Sequence, residues 1–388
     1  MDVAAEKNSS ATNVVERGVS ALLLVGGKPG VERFGDLPLA LLDVLGRSLV
    51  LRTVDRLKSS GISAITVLSD TPAPQLSHKT TASWFNIASA EDFWDEALEQ
   101  FRQLARQSEC VLVMRLGGWA EIDYAAFLAA FRGSGTALMR AHVAGGEPLD
   151  VYAISSTRYT ETVALFRSKL RDPRAAAAAF SVYGYVNPLR DAAELRALTL
   201  DAFAGEARIT PDGNESRPGV WVGRGARIHP SARLVAPVFV GARCRVHSAA
   251  VITRGSSLER NSVVDCATVI DNSTVLPFTR VGAGLDAERC VLDARMVHSL
   301  PRSATVAIDD PRLLRPAAAQ LFAQAFAVAG WLHALLPNVL RRLLAEDEPA
   351  VATLQPGTPA LGNRSLAPVE SQTEPYREMV ATRRYGNE

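Results

Sequence analysis

A ladder of aliphatic residues at a strict interval of six constrains this chain more than any other feature. Val222, Ile228, Leu234, Val240, Val246, Ile252, Leu258, Val264, Ile270 and Leu276 form it. Four positions after each comes a small or β-branched residue: Ala226, Ala232, Val238, Cys244, Ala250, Ser256, Ser262, Thr268 and Thr274. Arg280 ends the pattern. A period of six is not helical, since a helical face repeats near 3.6, and it is not that of a plain strand, whose faces alternate. A short strict repeat reads as a solenoid of stacked coils with one shared core. The large aliphatic fills the interior and the small residue lets the corner close. The register fails after Leu276, where Val281 arrives one residue early and Gly282 takes the expected slot.

Composition narrows the setting. The chain has 388 residues, enough for two or three domains, and its net charge of +1 gives no global argument for nucleic acid. Residues 222–281 are locally basic, with eight Arg against Glu259, Asp265 and Asp271. That excess is either the solvated outside of the coils or a surface for an anionic ligand or partner. Cys110, Cys244, Cys266 and Cys290 show no CxxC spacing and no paired His nearby. They read as buried thiols in a reducing cytoplasm rather than as a disulfide framework or a zinc site. The N-terminus has no basic-then-apolar export pattern, and residues 1–17 are polar and expected to be disordered.

Along the chain, Val19–Val25 is a continuous apolar run ended by Gly26 and Gly27, as in a buried parallel strand entering a loop. Leu49–Ser59 has helical spacing, Ile62–Leu68 is a second strand, Asp92–Gln107 a helix and Cys110–Leu116 a third strand. Asp123–Phe131 is a helix. Strands are expected over Ala137–Val143 and Val151–Ile154, and helices over Arg158–Leu170 and Ala192–Phe203. This alternation predicts an α/β domain over 18–203 with a parallel sheet covered on both sides. A linker over 204–219 leads into a β-helix over 220–300. A helical segment is expected over 301–345 and a disordered tail over 346–388. From Pro316 to Leu340 there is no formal charge over 25 residues. The stretch reads as a helix packed on the protein, a helix lying on a membrane surface, or a span.

Three stretches carry a resemblance to a known family. They are Ala21 to Gly27, Leu37 to Val50 (LPLALLDVLGRSLV), and Leu57 to Leu68. They resemble the sugar-1-phosphate nucleotidyltransferases, or NDP-sugar pyrophosphorylases, whose corresponding region reads roughly LAGGxGTRLxPLT, PKPLLPVxGKPLI and AGIxxIxVV. The hexads resemble the left-handed parallel β-helix that follows this domain in the mannose- and glucose-1-phosphate type. The resemblance implies a Rossmann-like, GT-A-like nucleotidyltransferase domain, a left-handed β-helix and a C-terminal helical segment. It also implies attack of a sugar phosphate on the α-phosphorus of a nucleoside triphosphate. That chemistry needs glycine amides around the phosphates, a basic group on the leaving pyrophosphate, and carboxylates holding Mg²⁺.

By this resemblance Val25, Gly26 and Gly27 bind the nucleotide, and Lys28 or Arg33 stands for the missing arginine of the glycine loop. The lysine of the family's P-K-P motif corresponds to Leu39, the metal aspartate to Gly118, and the second metal carboxylate to Asn187. Glu121 and Asp123 are the nearby acids that remain for a metal. Asp123 reads alternatively as a helix N-cap, and Asn187, before Pro188, as a turn residue. The stretch Ala144–Asp150 replaces a longer excursion that carries the family's sugar-binding motif. A catalytically degenerate protein that binds a nucleotide sugar or sugar phosphate as regulator or scaffold is the leading expectation. An active Mg²⁺-dependent nucleotidyltransferase is the alternative. A hexapeptide-repeat acyltransferase is the third reading: His229, His247 and Asp265 lie 18 residues apart, so they stack coil over coil, with His247 as the base. The implied setting is cytoplasmic nucleotide-sugar and polysaccharide metabolism. Homo- or hetero-oligomerisation is expected through the β-helix, with no nucleic acid and with membrane contact open through 316–340.

Overall fold

The computed structural model describes residues 18–26, 33–34, 37–71, 81–87, 92–157, 159–168, 170 and 178–317. All belong to the first of the two units into which the chain divides, Met1–His333. The expectations for 1–17, for residues beyond 317 and for Gly27 and Lys28 lie outside the described residues.

The α/β part contains β1 (Val19–Val25), the hairpin β2 (Asp43–Val44) and β3 (Arg47–Ser48), α1 (Leu49–Ser59), β4 (Ala64–Ser69) and β5 (Ser83–Asn86). It continues with α2 (Phe93–Gln107), β6 (Cys110–Arg115), β7 (Trp119–Ala120), α3 (Tyr124–Ser134), β8 (Leu138–Val143) and β9 (Pro148–Ser155). α4 (Tyr159–Arg167), β10 (Ala178–Val182), β11 (Val186–Asn187) and α5 (Ala192–Ala204) complete it. The main sheet has the order β10–β8–β9–β6–β1–β4–β5. Every neighbouring pair is parallel except those of β9, which runs antiparallel to both β8 and β6. The sheet is therefore mixed, and Ala144–Asp150 is part of a β8–β9 hairpin.

β1 explains the layering. Its side chains alternate between two apolar clusters. Ala21, Leu23 and Val25 pack with Val50, Val54 and Leu57 of α1 and Phe127 and Phe131 of α3. Leu22 and Leu24 pack on the other side with Phe93, Ala97 and Phe101 of α2 and Phe166 of α4. Both faces being covered, the strand needs no polar residue and reads as the continuous apolar run seen in the sequence. α5 opens on Asp191, whose side chain accepts from the Glu194 amide, while Glu194 accepts from the Arg190 amide. These two bonds together fix where the helix begins.

From Val220 onward the chain builds three sheets whose strands recur by whole coils. The first face holds Val220–Val222, Val238–Val240, Ser256–Leu258, Thr274–Val275 and Cys290–Leu292; the second holds Arg227–Ile228, Arg245–Val246, Val263–Val264 and Thr279–Val281. The third holds Arg233–Leu234, Val251–Thr253, Val269–Asp271 and Asp286–Glu288. All these strands pair in parallel. The stack has the layout of a parallel β-helix. Val240, Val246, Ile252, Leu258, Val264 and Ile270 are buried in its interior, whereas Val222, Ile228 and Leu234 of the first coil are half-buried.

Three expectations are corrected here. The ladder slips before Leu276, not after it. Thr253 pairs with Asp271, but Ser257 pairs with Thr274 and Leu258 with Val275, so one residue is lost at the Asn272 corner. Val275 takes the interior slot, and Leu276 packs in the cluster that joins the two parts. Second, 204–219 is no free linker. Ala207 and Ile209 are buried in that same cluster, and Asn214–Arg217 pairs antiparallel with Val220–Val222. Third, the described start of the expected helical segment is extended. Ala304–Ala307 pairs with Met296–Ser299 on the first face, and Leu314–Pro316 pairs antiparallel with Thr279–Val281 on the second. Among the described residues no helix is long and apolar enough to cross a membrane.

The first face is buried on both sides. Its outward residues Phe239, Ser257, Thr274 and Val291 carry no charge and are covered. Phe239, Leu276 and Val291 join Leu42, Leu45, Trp119, Leu195 and Leu198 in one apolar cluster. The Phe203 ring of α5 stacks on Trp221 at 5.5 Å. Arg196 of α5, fully buried, donates to the Gly255 carbonyl (2.6 Å), to Asn272 Oδ1 (2.9 Å) and to Thr274 Oγ1 (3.3 Å). Burial lowers its pKa to about 10, which leaves it charged at neutral pH. The tip of the β2–β3 hairpin completes the junction. Leu45 (φ 51°) and Gly46 (φ 89°) form a two-residue turn with both φ positive. Their amides donate to the two oxygens of the Glu259 carboxyl group at 2.9 and 2.7 Å. A Cβ on Gly46 would fall 2.7 Å from Phe239 Cζ, so the close approach needs glycine.

Burial, reinforced by the Asp43 carboxylate, pushes the Glu259 carboxyl from its ordinary value of 4.5 up to about 8, against the pull of the two amides and of Arg52. A carboxyl whose pKa is raised on folding holds its proton in the folded state while the unfolded chain has lost it. Its contribution is full below the ordinary value and disappears as pH rises through about 8. Stability should therefore decline by an amount on the order of a few kcal/mol between pH 5 and pH 8. Glu259→Gln, followed by urea denaturation across that range, is expected to flatten the decline. An unchanged pH slope in the variant would contradict the assignment.

Candidate functional site

The sheet places its carboxyl edge where the chain reverses its direction of winding. From β1 the chain builds outward through β4 and β5, then returns to add β6 on the other side of β1. In open α/β sheets such a switch point leaves a crevice beyond the strand ends. Here the ends of β1, β4 and β6 bring Gly26, Asp70 and Arg115 to one edge. Val25 is fully buried below it. Gly26 has φ 107°, and a Cβ there would lie 2.2 Å from the Asp70 carboxyl group. Only glycine fits, and it lets the chain turn against a carboxylate. Asp70 also accepts from Thr71 Oγ1 at 2.9 Å.

Within the same sheet two buried arginines share one carboxylate. Arg115 Nη2 lies 2.6 Å from Asp150 Oδ2 and Arg140 Nη2 lies 3.0 Å from Asp150 Oδ1, so one carboxylate of β9 holds two guanidinium groups from β6 and β8. Arg140 also donates to the Leu149 carbonyl (2.8 Å) and lies 5.0 Å from the centre of the Tyr152 ring. The Tyr152 hydroxyl, raised in pKa by burial and by Asp150, donates to the Leu170 carbonyl at 2.9 Å. Sequence reasoning missed Asp70, Arg115, Arg140 and Asp150. Arg115 had a signal: a charged residue inside the apolar run Cys110–Leu116 is rarely buried without a partner.

The residues singled out from the sequence are placed as follows. Arg33 is in a short ladder, Arg33–Phe34 against Leu37–Pro38. Leu39 is buried at the junction and lines a cavity of about 270 Å³ with Arg190, His298 and Thr305. β7 and β11 pair, with Trp119 opposite Asn187, which brings Gly118 and Asn187 together: a Cβ on Gly118 would lie 2.8 Å from the Asn187 carbonyl. The Asn187 side chain is committed to a turn, with Oδ1 accepting from the Leu189 amide (2.9 Å) and Nδ2 donating to the Glu194 carbonyl (3.0 Å). Glu121 is buried and accepts from the Arg208 amide and, at 3.4 Å, from Trp119 Nε1. Asp123 is exposed and caps α3 by accepting from the Ala126 amide at 3.0 Å.

Mg²⁺ demands near-octahedral oxygen ligands including carboxylates. The donors at these positions do not fit it: Gly118 offers none, and Asn187, Glu121 and Asp123 each accept from a backbone amide. Among the described residues no group of three His, Cys, Asp or Glu is spaced to hold a metal ion.

On the stack, His247 Nε2 lies 3.7 Å from Asp265 Oδ1, and Asp265 also takes both donors of Arg280 at 2.8 and 2.9 Å. His229 turns to Ser231 Oγ at 2.8 Å instead. Cys110, Cys244 and Cys290 are buried, and burial raises the first two to about 12, so they stay protonated; Cys266 is exposed.

Asp150→Ala should leave two buried guanidinium groups short of their shared carboxylate and cost about 3 kcal/mol in urea denaturation. A loss below about 0.5 kcal/mol, the range of ordinary surface substitutions, would show that the triad does not hold this edge together. Compared with known proteins, no family model and no curated sequence matches this chain.

Proposed function

We propose that this protein is a nucleotidyltransferase-like binding subunit of nucleotide-sugar metabolism. In this reading it takes a nucleotide sugar or sugar phosphate at the carboxyl edge of β1, β4 and β6 and does not transfer a nucleotidyl group. The observation that carries the reading is the charge missing at that edge. The residues at the implied metal positions, Gly118 and Asn187, bring no negative charge, while β6 ends at that edge on Arg115, which the Asp150 carboxylate ties to Arg140. Catalysis of phosphoryl transfer rests on positioned metal and its carboxylates. The buried run of β1 and the turn at Gly26 fall in the first stretch of family resemblance, the hairpin tip at Leu45–Gly46 in the second, and the end of α1 with most of β4 in the third.

Within this proposal the coil stack is a left-handed β-helix that presents the binding domain to an oligomeric partner in the cytoplasm, as scaffold or regulator.

Titration calorimetry of the full chain with nucleoside triphosphates and nucleotide sugars, with and without Mg²⁺, tests the reading alongside a pyrophosphate-release assay. Saturable binding independent of Mg²⁺, with no pyrophosphate released, is expected. Mg²⁺-dependent binding with release abolished in Glu121→Gln or Asp123→Asn would overturn it in favour of an active enzyme. Absence of saturable binding would overturn the ligand assignment.

A further inference from the structure

The second face of the stack carries a row of cations that the fold does not require. Its outward positions are Arg227, Arg245, Val263 and Arg280, paired strand to strand, and Arg315 stands opposite Arg280 on the added antiparallel strand. The repeat needs only the aliphatic that follows each of these positions. On the third face the equivalent positions are Arg233, Val251, Val269 and Asp286, a mixed set. Concentrating arginine on one face is thus a property of that face and not of the hexad. Nor does it follow from a basic chain, since the net charge is +1.

The arrangement is unfavourable by itself. Neighbouring strands lie about 4.8 Å apart, and like charges directly across from one another destabilise a sheet. Arg280 is neutralised by Asp265 at 2.8 and 2.9 Å. Among the described residues Arg227, Arg245 and Arg315 have no ion-pair partner. At the adjoining corner Arg243 and Asn261, both at φ 58°, stand one coil apart, and Arg243 Nε donates to Asn261 Oδ1 at 2.8 Å. These side chains border a cavity of about 660 Å³, within the range of small-molecule sites. Among the described residues no aromatic side chain lines it, so those residues offer a nucleobase no ring to stack on. Row spacing, forked donors and the missing counter-charge together fit a chain of linked phosphates.

We infer that this groove binds a linear oligophosphate, at a site distinct from the carboxyl edge of the α/β sheet. The phosphate chain is recognised and whatever it is attached to is not. Tripolyphosphate and ATP, titrated into the full chain at constant ionic strength, should bind with affinities within a few-fold of one another. The Arg227→Ser/Arg245→Ser double variant should lose at least tenfold in affinity for tripolyphosphate, with an unfolding midpoint no lower than the parent's because both side chains are exposed and their repulsion is removed. Arg233→Ser, on the third face, should bind as the parent does. Both substituted sites lie on the stack, so the result is independent of what binds near Gly26. Absence of saturable tripolyphosphate binding, unchanged binding by the double variant, or an equal loss in Arg233→Ser would each overturn the inference.

Discussion

The two oxygens of one buried carboxyl group, Glu259, meet the two amides of one tight turn, Leu45–Gly46, and the junction of the molecule is organised around that contact. A coil stack can grow indefinitely, since each coil touches only its neighbours. This one is fastened along a whole face. Phe239, Leu276 and Val291 bury outward against the segment from Leu39 to Leu49 and against α5. Polar groups of the two parts pair across the junction. Arg196 reaches from α5 into the coils, and Arg260 Nε of the coils lies 2.6 Å from Asp43 Oδ2 of the hairpin. Arg52 holds the hairpin from beneath through the Val44 and Leu45 carbonyls. Burial lowers the Arg52 pKa to about 10, which still leaves it charged. A buried charge without such partners would be strongly destabilising. The polar set and the apolar cluster therefore specify one docking geometry together.

That fastening divides the surface by role. The first face is consumed by the junction. The second face is exposed and basic, while the arginines of the α/β sheet are buried around Asp150. Two arginine-bearing regions of unlike construction thus coexist. One is pre-organised by a shared carboxylate. In the other, three arginines have no ion-pair partner among the described residues. Asn187 and Asp123 show how the same scaffold positions serve structure: one closes the turn before α5 and the other begins α3.

The stack was legible because its period is strict and its interior admits only aliphatics. The break at Leu276 was misplaced for a physical reason. Val275 and Leu276 are adjacent and both apolar, and a deletion in the Asn272 corner changes which of them faces inward without changing either residue. β1, α1, α2 and β6 were legible from periodicity and their turn residues. β5 and β10 were not read as strands, because their side chains are largely exposed or half-buried and they sit at the two sheet edges. The strands of 304–316 lack the hexad altogether. At the candidate site, Gly26 was found from its place after β1, while Asp70 and Asp150 were not, since their partnership with Gly26 and Arg115 spans 44 and 35 residues of chain.

If the carboxyl–turn contact and the apolar face make one cooperative body, the α/β sheet and the coils open together. Native-state hydrogen exchange of the full chain measures this directly at the Gly46 amide, held by Glu259, and at the Glu259 amide, held by the Val275 carbonyl. The two are expected to share one opening free energy and one denaturant dependence. Exchange of Gly46 and the β1 amides through a smaller opening, with the Glu259 amide still protected, would contradict the account.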